Sequence, residues 1–116
     1  MENKVSVTIS DEAVTAINEA INTIIQNLPD LINLTYEERK SIPKMGDKTV
    51  AFVIKNLEYA KRNPRVVPEF LDMNEFEKDA LAVSGLHGVL VPIQQLSEKL
   101  DDTTMQAGRV RPILLH

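Results

Sequence analysis

Apolar residues recur every three or four positions in three long stretches of the chain. The members of the first stretch are Val14, Ile17, Ile21, Ile24, Ile25 and Leu28. They share one side of a helix with 3.6 residues per turn. Ser10 stands before them as a candidate N-cap, and Pro29 after them cannot continue the backbone hydrogen bonds. The pattern predicts a first helix over residues 11–27.

The second and third stretches predict two further long helices. The second contains Val50, Val53, Ile54, Leu57 and Ala60. With Asp47 as its N-cap and Asn63-Pro64 at its end, it predicts a helix over about 48–62. The third contains Phe76, Ala80, Val83, Leu86, Leu90, Ile93, Leu96 and Leu100. It predicts a helix over about 73–101 that neighbours surround, with a bend at Pro92, where a backbone donor is missing.

The remaining segments predict one short helix and an extended arm. Thr35 and Glu38 have the spacing of a capping box, which favours a short connector helix over about 36–41. The alternating apolar residues near the N-terminus have no second strand to pair with, so they predict an extended arm. We therefore expect an all-α bundle of three long helices plus a short one, in a single domain over residues 1–116.

Two aromatic residues fall outside the apolar stripe of the second helix. Phe52 and Tyr59 are seven positions apart and lie on another side of it. They either pack beneath the connector 64–68, which is the commoner outcome for scattered aromatics, or meet another chain. In the second case they form an oligomer interface, for which the apolar C-terminal run Ile113, Leu114 and Leu115 is a further candidate.

Composition indicates a water-soluble protein of a reducing compartment. The chain is 43% hydrophobic and 26% charged and has no cysteine. No apolar run approaches the length of a membrane span, and residues 1–4 lack the basic-then-apolar pattern of a secretory signal. We expect a cytoplasmic protein with no membrane partner.

The net charge of −4 conceals a basic block in the middle of the chain. Within residues 35–65 the cations are Arg39, Lys40, Lys44, Lys48, Lys55, Lys61, Arg62 and Arg65. The block either complements acidic segments of the same molecule or faces an anionic partner. Nucleic acid is not the expected partner, because the whole chain is acidic and has no Trp to stack on bases.

The basic block contains one candidate binding cluster, Lys44-Met45-Gly46-Asp47-Lys48. Gly46 precedes a helix N-terminus, where free amides and the two lysines could hold an anion such as phosphate, with Arg39 as a further cation. The competing interpretation is an ordinary helix start, because Asp47 would itself occupy the amides.

Catalytic and metal-binding patterns are missing from the sequence. It has two histidines, His87 and His116, and the Glu-x-x-His motif of di-metal bundles is absent because Ser84 stands three positions before His87. No Gly-x-Ser-x-Gly motif surrounds Ser84, and Gly85 and Gly88 are interpreted as points of close helix packing. We expect no catalytic residue, no metal ligands and no cofactor, and hence no enzyme.

One part of the sequence resembles a known protein family. The segment Ile42-Pro43-Lys44-Met45-Gly46-Asp47-Lys48-Thr49 follows Leu34-Thr35-Tyr36-Glu37-Glu38-Arg39 and precedes Ala51-Phe52-Val53. This arrangement is similar to that of an uncharacterised family of small bacterial proteins, over about residues 5–108. The resemblance implies an all-helical bundle, and it implies no site because no activity has been assigned to the family. Residues 109–116 depart from the family pattern, which implies a shortened or altered C-terminus.

These observations favour a non-enzymatic helical bundle that acts in protein–protein interaction or self-assembly. If the bundle lacks one helix, a groove lined by apolar stripes stays open, and association would cover it. We therefore expect a homo-oligomer, with a dimer first, while an unidentified protein partner remains open. The alternative is a small anion- or nucleic-acid-binding protein that uses the basic block 39–65.

Overall fold

The computed structural model describes residues 7–108, and the regular secondary structure of these residues is all helical. Its elements are α1 (Asp11–Asn27), α2 (Tyr36–Ser41), α3 (Asp47–Arg62), a 3₁₀ turn (Pro64–Val66) and α4 (Met73–Gly108). The predicted all-α class, with three long helices and a short one, is confirmed. The candidate interface residues Ile113, Leu114 and Leu115 lie outside the described residues.

The starts of α1 and α2 follow the capping chemistry that the sequence predicts. The N–H of Ala13 donates to Oγ of Ser10 at 3.1 Å. In α2 the N–H of Glu38 donates to Oγ1 of Thr35 at 3.1 Å, and the N–H of Thr35 donates to Oε1 of Glu38 at 2.9 Å. Each bond satisfies a backbone donor that the helix leaves unpaired, so the predicted bounds of both helices are confirmed.

The capping box makes the stability of α2 depend on pH. The backbone N–H of Thr35, and then its hydroxyl, hold the pKa of Glu38 below its ordinary value of 4.5. Because the folded pKa is depressed, the contribution of Glu38 is present above 4.5 and is lost as the pH falls through the folded pKa. We expect Thr35→Ala to return the pKa of Glu38 part of the way toward 4.5, because the variant loses the hydroxyl and keeps the backbone N–H of residue 35, as measured by NMR titration of the carboxyl carbon of Glu38.

A matched control for that titration lies in the same helix. The hydroxyl of Ser41 donates to the backbone oxygen of Glu38 at 3.0 Å and does not bond the carboxylate. Ser41→Ala should therefore leave the pKa of Glu38 unchanged. If Thr35→Ala also left it unchanged, the hydroxyl of Thr35 would contribute nothing to the shift, and the backbone N–H of residue 35 would be its cause.

The start of α3 differs from the prediction. The N-cap is Gly46, which has no side-chain cap, and Asp47 is the first residue of the helix. The prediction that Asp47 is the N-cap is therefore wrong. Its carboxylate is bound instead by the ring of His87, which comes from α4 and which sequence spacing could not place nearby. At the other end, the N–H of Asn63 donates to the oxygen of Tyr59 at 3.0 Å, and the helix ends before Asn63-Pro64 as expected. Pro64 begins a 3₁₀ turn that the sequence did not predict.

Helix α4 is longer than its apolar pattern indicates. It begins after Asp72, whose carboxylate accepts from the N–H groups of Asn74 and Glu75 at 3.0 and 3.3 Å. It was expected to end near residue 101 but continues to Gly108. No proline or glycine occurs between residues 101 and 107, so the backbone has no reason to stop where the periodicity fades. Pro92 lies within the helix, and the bend expected there stays a prediction.

The described residues divide into two compact units. One contains residues 7–42 and 101–108, and the other contains residues 43–100. The second unit holds the buried apolar residues of the described chain, namely Val50 and Leu57 of α3 and Ala80 of α4, which are 8%, 5% and 1% exposed. The apolar stripe predicted for α3 is thus confirmed as its core face. An ion pair between Nζ of Lys61 and Oε1 of Glu77, at 2.9 Å, joins the same two helices.

Large parts of the other two apolar stripes are exposed. On α1 the residues Val14, Ile17, Ile21, Ile24 and Ile25 are 39% to 55% exposed. On α4 the residues Leu86, Val89, Leu90, Ile93, Leu96 and Leu100 are 39% to 59% exposed. The expectation that neighbours surround this part of α4 is wrong for the single chain. So is the close packing expected at Gly85 and Gly88, because a methyl group added at either would meet nothing within 4 Å.

One further property of α4 departs from the sequence analysis. Residues 80–97 contain no charged side chain. Among the described helices, α4 alone is long and apolar enough to cross a membrane, judged by length and composition. Core helices of soluble proteins pass the same test, so this is weak evidence. By length and composition, α4 does not meet the expectation that no apolar run approaches a membrane span, because the polar residues within it, such as His87 and Gln94, carry no fixed charge.

Candidate functional site

The candidate anion cluster lies at the N-terminus of α3. Lys44 and Lys48 are exposed, and Gly46 occupies the N-cap position, where no side chain accepts from the first amides of the helix. The competing interpretation, that the carboxylate of Asp47 fills this position, does not hold. Asp47 nevertheless places a negative charge in the first turn, which lowers the attraction of this helix end for an anion.

Arg39, the fourth residue of the candidate anion set, lies on α2 in the other unit. Its Nη2 donates to the backbone oxygen of Leu34 at 3.3 Å. The ammonium of the neighbouring Lys40 lies 5.3 Å from the centre of the Tyr36 ring, a cation–π contact. Both cations therefore have contacts within their own segment.

The basic block is partly neutralised within the molecule. Lys61 pairs with Glu77, one of the acids at the start of α4, and both side chains are partly exposed. This contact matches the interpretation in which the block complements acidic segments of the same chain. Asp72, which precedes α4, has a structural role too, since its carboxylate accepts from the N–H groups of Asn74 and Glu75.

The structure brings together one pair that the sequence analysis missed. Nε2 of His87 lies within hydrogen-bonding distance of Oδ1 of Asp47, although the two residues are 40 positions apart. The side chain of His87 is 19% exposed and that of Asp47 is 87% exposed. The pair ties the first residue of α3 to the middle of α4. No cluster of three or more metal-binding side chains occurs in the part of the chain that the structure describes.

The His87–Asp47 contact should contribute to stability. We expect His87→Ala and Asp47→Ala each to lower the free energy of unfolding, with a coupling energy of about 1 kcal/mol in a double-mutant cycle measured by urea denaturation. The same cycle on Lys61 and Glu77, whose side chains are 52% and 38% exposed, should give roughly 0.2–1 kcal/mol and serves as the control. Additive effects at His87 and Asp47 would show that the contact contributes nothing.

Phe52 and Tyr59 lie on the outer side of α3. They are 64% and 59% exposed, so the expectation that they pack beneath the connector 64–68 is wrong. At 100° per residue, both lie on the opposite side of the helix from the buried Val50 and Leu57. Their part in an oligomer interface stays a prediction.

Beneath the connector there is an open cleft. Its walls include Ala60, Pro64, Val67 and the Lys61–Glu77 ion pair. The charged residues that line the cleft are the two members of this pair, which neutralise each other, and Glu69. A bound small molecule would have to compete with that pair, so the cleft offers little that could recognise one.

Comparison with known proteins adds no identification. No protein-family model, no curated protein and no solved structure matches the chain. The resemblance to a family of small bacterial helical proteins therefore stays a prediction.

Proposed function

We propose that this chain is a non-enzymatic interaction module that assembles with copies of itself through its exposed apolar helix faces. The observation that supports the proposal is the exposure of the isoleucine stripe of α1 and of the leucine-rich face of α4. Soluble monomers rarely leave contiguous apolar patches of this kind uncovered. Contiguous rows at helical spacing are the surfaces that neighbouring helices cover.

The free energy available from covering these faces is large. Complete burial of a Val, Leu or Ile side chain contributes about 1.5–3 kcal/mol. The five α1 residues and six α4 residues are each roughly half exposed, so each offers on the order of 1 kcal/mol when covered. If both copies covered these residues completely, the gain would be on the order of 20 kcal/mol, against a cost of association estimated at 4–15 kcal/mol or more.

A second copy of the chain is the partner that we favour, in a homodimer. Each copy carries the same uncovered faces, and two-fold dimers are the commonest closed assemblies. In such a dimer both copies use the same surface, so the contact that covers the apolar faces of one copy also covers those of the other. We further propose that the protein is cytoplasmic, since His87, Gln94 and Gln95 place polar groups in the uncharged part of α4, where a lipid environment would leave them costly.

Light scattering across a dilution series tests the proposed function. We expect the mass of a dimer, about twice 13.0 kDa, at micromolar concentration and a fall toward the monomer mass on dilution. A monomer mass at every concentration would reject self-assembly. Co-flotation with lipid vesicles in place of self-association would instead assign the apolar face of α4 to a membrane.

A second candidate function is anion binding at the start of α3. The uncapped amides after Gly46, next to Lys44 and Lys48, support it. Phosphate titration, followed by the amide NMR shifts of residues 47–49 in the wild type and in the Lys44→Ala/Lys48→Ala variant, separates this function from the first. Shifts that saturate in the wild type and vanish in the variant would favour it.

A further inference from the structure

The outer side of α3 carries a regular row of cations and aromatic rings. The row consists of Lys48, Phe52, Lys55, Tyr59 and Arg62, at spacings of four, three, four and three. All five are exposed, and at 100° per residue they fall within one narrow band opposite the buried Val50 and Leu57. The acids of α3 lie outside this band. We refer to this row as the cationic stripe.

The three cations of the cationic stripe differ from Lys61, which lies on another side of α3 and pairs with Glu77. The stripe faces away from the side of α3 that holds its core residues. Three positive charges interleaved with two half-exposed aromatic rings form a surface that favours carboxylates and apolar side chains in alternation.

A row of opposite charge lies on α4. Gln94, Glu98, Asp101 and Met105 follow one another at spacings of four, three and four, and all are exposed. We refer to this row as the acidic stripe. Glu98 and Asp101 follow residues 80–97, which contain no charged side chain. Of the exposed leucines of α4, Leu86, Leu96 and Leu100 lie on other sides of the helix from the acidic stripe, and Leu90 borders it, so one helix can offer both surfaces at once.

We infer that the cationic stripe of one copy binds the acidic stripe of a second copy. Both rows have the same three-and-four spacing, and they are about 21 Å and 16 Å long at 1.5 Å per residue. The two stripes carry opposite charges. The flexible apolar side chain of Met105 is suited to pack against the aromatic rings of the cationic stripe. In a two-fold dimer this contact occurs twice, because each copy supplies one stripe of either kind.

Two other occupants of the cationic stripe fit less well. Two of the three acids of α1, Glu12 and Glu19, lie on the opposite side of the helix from the isoleucine stripe, so α1 presents only Asp11 beside its isoleucines. Nucleic acid would meet a chain of net charge −4 and pI 5.1, which repels a polyanion at long range. Residues spaced three and four apart also form the ridges that pack against a neighbouring helix, which favours a helical partner.

This inference rests on the proposed self-assembly and gives it an orientation. The apolar faces supply most of the buried area, while charge pairs select the partner and fix its register. A dimer held by apolar faces alone would form whatever the charges of the two stripes. A dimer that uses the stripes would respond to their reversal.

Charge reversal tests the inference. The first variant is Lys48→Glu/Lys55→Glu/Arg62→Glu, and the second is Glu98→Lys/Asp101→Lys. We expect each to weaken the dimer at least about tenfold in sedimentation equilibrium at low salt. An equimolar mixture of the two variants should regain dimerisation, because both contacts in the mixed dimer again join opposite charges. Circular dichroism checks that each variant stays helical.

A matched control separates a local contact from net charge. Lys40→Glu/Arg65→Glu/Lys78→Glu changes the net charge by the same amount as the first variant but leaves the stripe intact, so its dimer should stay near the wild-type strength. A wild-type dimer that neither reversal weakens, that the control weakens equally, or whose variants do not recover on mixing would overturn the inference and leave self-assembly standing. A wild-type monomer would overturn both. Binding of a single-stranded 30-nucleotide DNA that only the first variant abolishes would assign the stripe to nucleic acid.

Discussion

Replacing Ile21 by glutamate should abolish most of the self-association of the protein. Ile21 lies near the centre of the isoleucine stripe of α1 and is 47% exposed, so the substitution costs the single chain little. In the dimer the same position would be covered, and a carboxylate there would lose its water without gaining a partner. We expect the dissociation constant to rise by at least about 30-fold, which corresponds to roughly 2 kcal/mol.

The matched control for Ile21 lies on the opposite side of the same helix. Ala16 is exposed and, at 100° per residue, stands about 140° away from Ile21. Ala16→Glu adds the same charge to the same helix and should leave the dimer nearly unchanged. Analytical ultracentrifugation of both variants decides the matter. Equal behaviour of the two would exclude the isoleucine stripe of α1 from the interface.

The elements of this fold could be predicted because their signals are local. Ser10, Thr35 and Glu38 cap the helices that they precede, and these contacts span only three residues. The bounds of α1 and α2 followed directly. The end of α4 could not be predicted in this way, because an absence of apolar periodicity removes the reason for packing without adding a reason for the helix to end.

Contacts between residues far apart in the chain could not be predicted from the sequence. Asp is a residue type that N-caps prefer, and Asp47 stands beside a helix start. Its carboxylate nevertheless lies within hydrogen-bonding distance of the ring of His87, which is 40 positions away in the chain. Nothing in the spacing of either residue indicates the other. Local capping preference contributes only about 1 kcal/mol, and a contact from another helix can displace it by offering the side chain a different hydrogen-bonding partner.

Apolar periodicity predicted which sides of the helices are apolar but not which sides are covered. The stripe of α3 is buried at Val50 and Leu57, whereas the equally regular stripe of α1 is exposed at Ile17 and Ile21. The pattern is the same in both helices because it records only that a partner surface is needed. Whether that surface belongs to the same chain or to another copy depends on the whole assembly, which the spacing does not encode.

Replacing Leu57 by alanine should destabilise the fold strongly. Leu57 is 5% exposed and has the largest side chain among the buried apolar residues of the described chain, the others being Val50 and Ala80. Truncation removes the transfer free energy of three carbon atoms and leaves space that the neighbours fill only in part. We expect the free energy of unfolding to fall by about 2–4 kcal/mol, as measured by urea denaturation.

The size of that effect depends on how small the core is. A chain with many buried side chains shares the loss among them, whereas here one residue in three of the buried apolar set is altered. Phe52→Ala is the control, since Phe52 lies on the same helix and is 64% exposed, and it should change the free energy of unfolding by less than about 1 kcal/mol in the monomer. Because the dimer adds its own stability, both variants must be compared at a concentration where the wild type is dissociated. A larger loss for Phe52→Ala than for Leu57→Ala under those conditions would mean that the outer side of α3, and not the side facing α4, holds the core.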